Sequence, residues 1–281
     1  MPVYIASINS GSNANCYYVG NDTEAILVDA GLGVRETEKR MAALGLDLKK
    51  VKAIFVSHEH SDHITGVPGL SKKYQLPVYI TAETRRHSNI PLADELVYDF
   101  KHGKTITIGS LSIHPFRKKH DGADPHSFMV SGGGVNVGII TDIGYACKQV
   151  IKYFGQCHAV FLESNYCEDM LRNGGYPYHL QQRISGDEGH LSNAQALELF
   201  LHYRSPGLRL LILSHLSQNN NKPELVKQIF SPHAGEVQVV VASRYAASAV
   251  YTLEETAVSS PVRISGKNKK IKDERQLSLF P

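Results

Sequence analysis

Ser57-His58-Glu59-His60-Ser61-Asp62-His63 follows directly on the apolar run Ala53-Ile54-Phe55-Val56. Three histidines and an aspartate thus fall within six residues at the end of a β-run. A strand ending this way delivers its side chains to a loop at its C-terminal edge, where sites in layered α/β folds lie. On a helix, His58 and His63 would point to quite different sides. On a loop the four side chains can converge as two pairs, His58 with His60 and Asp62 with His63, each able to hold a metal ion. Imidazole and carboxylate suit zinc, and also manganese or iron.

Working outward, the same pattern recurs: apolar strands that end in a His, Asp or Glu. Val3 to Ser7, Cys16 to Val19 and Ala25 to Val28 read as hairpin-like strands, the last ending in Asp29. Asp29 is either an acceptor that orients the metal loop or a turn residue. Residues 34–46 have helical spacing, and a helix is expected from His63 to Tyr74. Val78 to Ile80 is a strand, and residues 82–97 are helical or irregular. Thr105 to Ile108 and Leu111 to His114 form a hairpin around Gly109-Ser110. A further strand rises from Phe116 towards His120. Strands follow over 127–130 and over 135–140, which ends at Asp142. Val160 to Leu162 ends in Glu163, and Leu208 to Leu213 ends at His215. Helices are expected over 191–202 and 223–230, and a strand over 237–242. Strands dominate each half and helices interleave, which favours a four-layer αββα sandwich with a site at the common edge of two β-rich halves.

The chain has 281 residues, 42% of them hydrophobic, and no apolar run long enough to span a membrane. Its N-terminus has no signal-like segment, and its four cysteines form no C-X-X-C pair. A reduced, cytoplasmic protein is expected. The net charge of +3 resides in residues 267–275, which carry five basic and two acidic residues, so residues 1–266 are neutral. Nucleic-acid binding by the body therefore needs a local patch. Arg85-Arg86-His87 and Arg117-Lys118-Lys119 are the basic clusters. The second runs into His120 and can steer a phosphate backbone, or be a solvated face.

The metal loop has the form His-X-His-X-Asp-His, and here the chain resembles the metallo-β-lactamase superfamily over about residues 1–250. Ser10 to Asn15, His120-Asp121-Gly122-Ala123-Asp124-Pro125 and Gly189-His190-Leu191-Ser192-Asn193 are similar to motifs of its YycJ/WalJ-like exonuclease branch, which is related to tRNase Z. The resemblance implies two divalent metal ions (zinc or manganese, with iron a further option). His58, His60 and His120 would hold one, Asp62, His63 and His215 the other, with Asp142 between them. By the same resemblance Asp62 belongs to the catalytic set, His190 gives a proton to the leaving oxygen, and Glu163 orients His190. Ser192 and Asn193, with Arg117, Lys118 and Lys119, are expected substrate contacts, although Ser192 or Asn193 also reads as a helix cap. Residues 164–188, polar and tyrosine-rich, should overhang the site.

The body is expected to occupy residues 1–264. Residues 265–281 form a flexible basic tail, expected to be disordered, ending in Gln276-Leu277-Ser278-Leu279-Phe280. That pentapeptide looks like the bacterial sliding-clamp-binding motif. The reading is a DNA exonuclease, RNA being a second possible substrate, recruited to the clamp and independent of membranes, its oligomeric state open. The alternatives are a small-molecule phosphodiesterase or a thioesterase-like or lactonase-like hydrolase, and a non-enzymatic clamp-bound adaptor with a structural metal. Seven candidate ligands including a bridging carboxylate disfavour the adaptor, because structural zinc sites are closed tetrahedra.

Overall fold

The computed structural model describes residues 1–255 and 258–259. In chain order its elements are β1 (Val3–Asn9), β2 (Cys16–Gly20), β3 (Ala25–Val28), α1 (Val34–Ala43), β4 (Val51–Phe55), α2 (Ser61–Ile64), α3 (Val67–Tyr74), β5 (Val78–Tyr79), α4 (Ala82–Ser88), β6 (Val97–Tyr98), β7 (Ile106–Ile108), β8 (Leu111–Arg117), β9 (His126–Gly132) and β10 (Val135–Ile140). There follow α5 (Lys148–Phe154), β11 (Ala159–Glu163), α6 (Glu168–Asn173), α7 (Tyr178–Ser185), α8 (Asn193–Tyr203), β12 (Leu210–Ser214), α9 (Pro223–Phe230), β13 (Gln238–Val241), β14 (Tyr251–Leu253) and β15 (Val258–Ser259). The strands form two sheets, in the orders β15-β14-β1-β2-β3-β4-β5-β6 and β13-β12-β11-β10-β9-β8-β7.

Each sheet has an antiparallel part and a parallel part. The pairs β3–β4, β4–β5 and β5–β6 are parallel in the first; β10–β11, β11–β12 and β12–β13 are parallel in the second. Parallel strands buried on both faces read as continuous apolar runs, as here. In β2, Tyr17 and Val19 face the other sheet while Cys16 and Tyr18 face the helices. In β12, Leu210 and Ile212 face inward while Leu211 and Leu213 pack under the helical layer. Phe55 joins the sheets edge-on to Phe128, ring centroids 5.7 Å apart. The result is the expected αββα sandwich of the metallo-β-lactamase type, an α/β fold.

Two local expectations need correction, and other elements were not foreseen. The helix expected over 63–74 is two helices, broken at Thr65-Gly66, because the Gly66 N–H donates to the Ala30 carbonyl and a Cβ at Gly66 would collide with the Leu32 carbonyl. The separate strand expected from Phe116 is the end of β8, which runs unbroken through Pro115. The Pro115 carbonyl points to Gly103, beyond the end of β7, so the missing N–H falls where the β7 ladder has stopped. Residues 164–188, for which the sequence suggested no element, contain α6 and α7. The sequence reading also passed over α5, as well as β14, which extends the first sheet by pairing with β1. Gln276 to Phe280 lie outside the described residues.

Candidate active site

The metal loop leaves β4 and is fastened by backbone hydrogen bonds. Asn15 N donates to Asp62 O (2.7 Å) and Ala30 N to His63 O (2.8 Å), and Asn15 O in turn accepts from Gly31 N (2.9 Å). A Cβ at Gly31 would run into the Asp62 carbonyl, so only glycine lets the loop seat here. Facing it are the ends of β10, β11 and β12, which carry Asp142, Glu163 and His215. Asp29, Asp142 and His215 all have left-handed backbones (φ 59°, 55° and 56°). Three non-glycine residues in that region, each one or two positions past a strand, mark chain reversals held at some energetic cost by the surrounding structure.

The candidate ligands meet in two groups that share a centre. Ligand atoms of His58, His60 and His120 lie within 4.8 Å of one another, as do those of Asp62, His63 and His215, and those of His58, His63 and Asp142. His58 Nε2 is 3.0 Å from His60 Nδ1. Asp62 Oδ2 is 3.5 Å from both His63 Nε2 and His215 Nε2. Asp142 lies between the groups, with Oδ2 3.3 Å from His63 Nε2, and Oδ1 3.4 Å from His215 Nε2 and 3.9 Å from His120 Nε2.

The far nitrogens are held by acceptors, which fixes how the rings point. His63 Nδ1 is 2.7 Å from Asp29 Oδ2, and the carboxylate can only accept. Ser57 Oγ, placed to donate to Asp29 Oδ2, stands 2.8 Å from His58 Nδ1. His120 Nδ1 donates to the Gly189 carbonyl at 2.9 Å, and His215 Nδ1 lies 3.1 Å from Glu163 Oε1. Asp29 therefore acts as the orienting acceptor, not merely as a turn residue.

Electrostatics favour a cation in the centre. Burial pushes His58 well below its ordinary pKa and His120 down to about 3, keeping both neutral. Burial also opposes charge on His63 and His215, but Asp142 and neighbouring carboxylates raise His63 well above its usual value and His215 to about 10. Burial would raise Asp142, yet His215 and His63 hold it well below the normal carboxylate range. The carboxylates thus attract positive charge, for which protons and metal ions compete. His120 Nε2, His215 Nε2 and Asp142 Oδ2 are buried and have no hydrogen-bond partner among the described residues. Orphaned nitrogen and oxygen atoms converging in one buried space suit divalent cations of the zinc or manganese kind.

Beside this cluster, His190 Nδ1 lies 2.7 Å from Glu163 Oε1 and 3.9 Å from Asp142 Oδ1. Glu163 is fully buried, and its Oε2 accepts from Ile143 N at 2.6 Å. Burial would raise its pKa, but His190 and His215 lower it to about 2. Asn15 and Asn165, which the sequence reading gave no role, also touch the centre. Asn15 Nδ2 is 3.0 Å from Asp62 Oδ2 and from His63 Nε2, and Asn165 Nδ2 is 3.2 Å from His215 Nδ1. Asn165 lies two residues past the end of β11; only its place near a strand end could have marked it.

Three expected substrate contacts are occupied by the fold itself. Lys118 is buried and its Nζ donates to the Thr141 carbonyl at 2.9 Å, so it cannot reach a phosphate backbone. Ser192 is the N-cap of α8 in a full capping box with Gln195. Asn193 is buried between Ser164 and Asn221. Arg117, paired with Asp124 at 3.4 Å, and Lys119 do face solvent. Arg85 and Arg86 pair with Asp94 and Glu83 on the surface. No helix among the described residues is long and apolar enough to cross a membrane.

Comparison with known proteins agrees with this architecture. The model of the β-lactamase superfamily domain matches residues 24–216. The chain is 32% identical over 269 residues to exodeoxyribonuclease YycJ of Bacillus anthracis, covering 94% of this chain and 99% of that one. It is 32% identical over 221 residues to exodeoxyribonuclease WalJ of Streptococcus pneumoniae, covering 77% and 82%. The metallo-β-lactamase fold protein YhfI of Bacillus subtilis superposes with a TM-score of 0.70 at 17% identity, over 90% of this chain and all of that one, a likeness of fold.

Proposed function

The chain belongs to the metallo-β-lactamase superfamily of hydrolases, and from that premise we propose that it is a two-metal phosphodiester hydrolase that removes nucleotides from DNA ends. The observation that carries the reading is the Glu163–His190 pair beside the ligand cluster. A thioester expels a weakly basic thiolate that needs no proton. A sugar oxygen leaving phosphorus is strongly basic and needs one delivered. The exodeoxyribonuclease relatives support DNA as the polymer.

In this reading His58, His60 and His120 would hold one divalent ion and Asp62, His63 and His215 the other, with Asp142 placed to serve both. When bound, such a pair supplies Lewis acidity at phosphorus and an acidified water for in-line attack. Glu163 can only accept, so it holds Nδ1 of His190 as the N–H and leaves Nε2 to carry the transferable proton. As the P–O bond breaks, that proton goes to the leaving oxygen. His190, 22% exposed, can then be reprotonated from solvent.

We also infer that Gln276 to Phe280 bind a bacterial sliding clamp. Leu279 and Phe280 would each contribute about 1.5–3 kcal/mol by burial in an apolar pocket. Ordering the peptide offsets much of that, so micromolar affinity is expected. Truncation before Gln276 should abolish clamp binding in calorimetry and leave cleavage of short oligonucleotides intact.

The test of the activity is metal-loaded full-length protein on end-labelled single- and double-stranded DNA and RNA, alongside a chromogenic phosphodiester and a thioester. Stepwise shortening of DNA supports the proposal. Turnover of the small esters with every oligonucleotide left whole contradicts it.

A further inference from the structure

His60 is the one ligand histidine whose far nitrogen has no partner assigned above. In the cluster its Nδ1 faces His58, so Nε2 points away. The group it meets there is Asp121, with Oδ1 3.5 Å from His60 Nε2 and 3.3 Å from His120 Nε2. That oxygen is buried and has no hydrogen-bond partner among the described residues. The other carboxylate oxygen, Oδ2, accepts from Arg183 of α7, Nε at 2.8 Å and Nη2 at 2.6 Å. A carboxylate engaged only in a surface ion pair would keep both oxygens wet. Asp121 instead gives one oxygen to an exposed arginine and turns the other into the metal centre. Its turn is also bolted to the metal loop, because Ala123 N donates to Glu59 Oε1 at 2.7 Å. Glu59 thus has a role in the motif, fastening the Asp121 turn to its loop.

We propose that Asp121 is a positioning residue of the first metal group, its inward oxygen placed against Nε2 of His60, and that Arg183 keeps its carboxylate turned inward. A carboxylate on the far nitrogen fixes ring and tautomer and raises the basicity of the metal-facing nitrogen, and loss of such a partner weakens metal binding by about 10–100-fold. Arg183 gives the pair a second consequence. It tethers α7, and with it the 164–188 segment, to the rim of the centre. The segment expected from the sequence to overhang the site is therefore joined to it by an ion pair.

This inference rests on the reading that His58, His60 and His120 hold a cation. The experiment is Co²⁺ titration of the full-length apoprotein, followed by ligand-field absorption and by competition with a chelator. His60→Ala identifies the binding step that belongs to the first group. Asp121→Asn should weaken that same step about 10–100-fold and leave the other unchanged. Arg183→Gln, which retains the carboxylate, should weaken it by a smaller factor and alter its absorption band. If Asp121→Asn loses its far-UV circular dichroism, Arg183→Gln alone carries the test. A wild-type chain binding fewer than two Co²⁺ overturns the two-metal reading and this inference with it. Two ions bound by the wild type, with the first-group step unchanged in Asp121→Asn and Arg183→Gln, overturn the role of Asp121 alone. A weakening confined to the other step does the same.

Discussion

The two halves of the molecule build their shares of the site in opposite ways. The first half concentrates four candidate ligands in one stretch after β4, His58 and His60 in the loop and Asp62 and His63 in α2, and secures that stretch through its backbone to Asn15 and Ala30. The second half spreads its groups one per connection: His120 after β8, Asp142 after β10, Glu163 at the end of β11 and His215 after β12. There the securing device is the strand end itself, left-handed at Asp142 and His215. A contiguous loop announces itself in sequence. A set of strand ends becomes a site only when the sheet brings parallel neighbours into register, as Glu163 and Ser214 are paired across β11 and β12. The contrast predicts that a change at Asp142, where the second half faces both groups, acts on both metal-binding steps, whereas a change behind a single ligand, as at Asp29, acts on one.

The largest effect is expected at Asp142, which faces both groups. Asp142→Ala should reduce turnover to that of the apoprotein and lower the metal content measured by elemental analysis. Retention of two ions per chain would break the idea of a shared carboxylate. His190→Ala should lower turnover by about 10²–10⁴ with metal content unchanged. His190 could itself be drawn into a ligand set with Asp142, Glu163 and His215, and loss of a metal ion in this variant would identify it as a ligand instead of a proton donor.

Smaller changes sharpen the comparison. Asp29→Asn replaces the charged acceptor behind His63 by a neutral amide with one acceptor oxygen and should weaken one metal-binding step by about 10–100-fold, leaving the other at its wild-type affinity. Equal weakening of both steps would mean that the loop and the strand ends are not separable. Ser192→Ala removes the α8 cap and should cost about 1 kcal/mol in a denaturant titration while kcat/KM holds steady. A rise in KM on oligonucleotides would restore Ser192 as a substrate contact.

Much of the fold was legible because both faces of most strands are buried, so apolar runs such as Leu210 to Leu213 could hardly be anything else. The candidate ligands were legible because they stand where those runs stop. What was hidden depends on partners distant in sequence. The break between α2 and α3 is set by contact of Gly66 with residues 30 and 32. The passage of β8 through Pro115 is permitted by where β7 ends. Lys118 looks like the middle of a solvated basic cluster, yet strand alternation turns it inward to the Thr141 carbonyl. Asn165 has no motif of its own, and Asp121 stands in one that gave it no role; only the assembled sheet edge shows what they touch.

The central claim is that the two halves complete one two-metal centre, and anomalous diffraction from metal-loaded crystals tests it most directly. The account predicts two peaks at the edge of the loaded metal. One should lie about 2.0–2.2 Å from nitrogens of His58, His60 and His120, the other at similar distance from Asp62, His63 and His215, with Asp142 in contact with both. A single peak, or peaks held by the loop alone with His120 and His215 turned away, would contradict it.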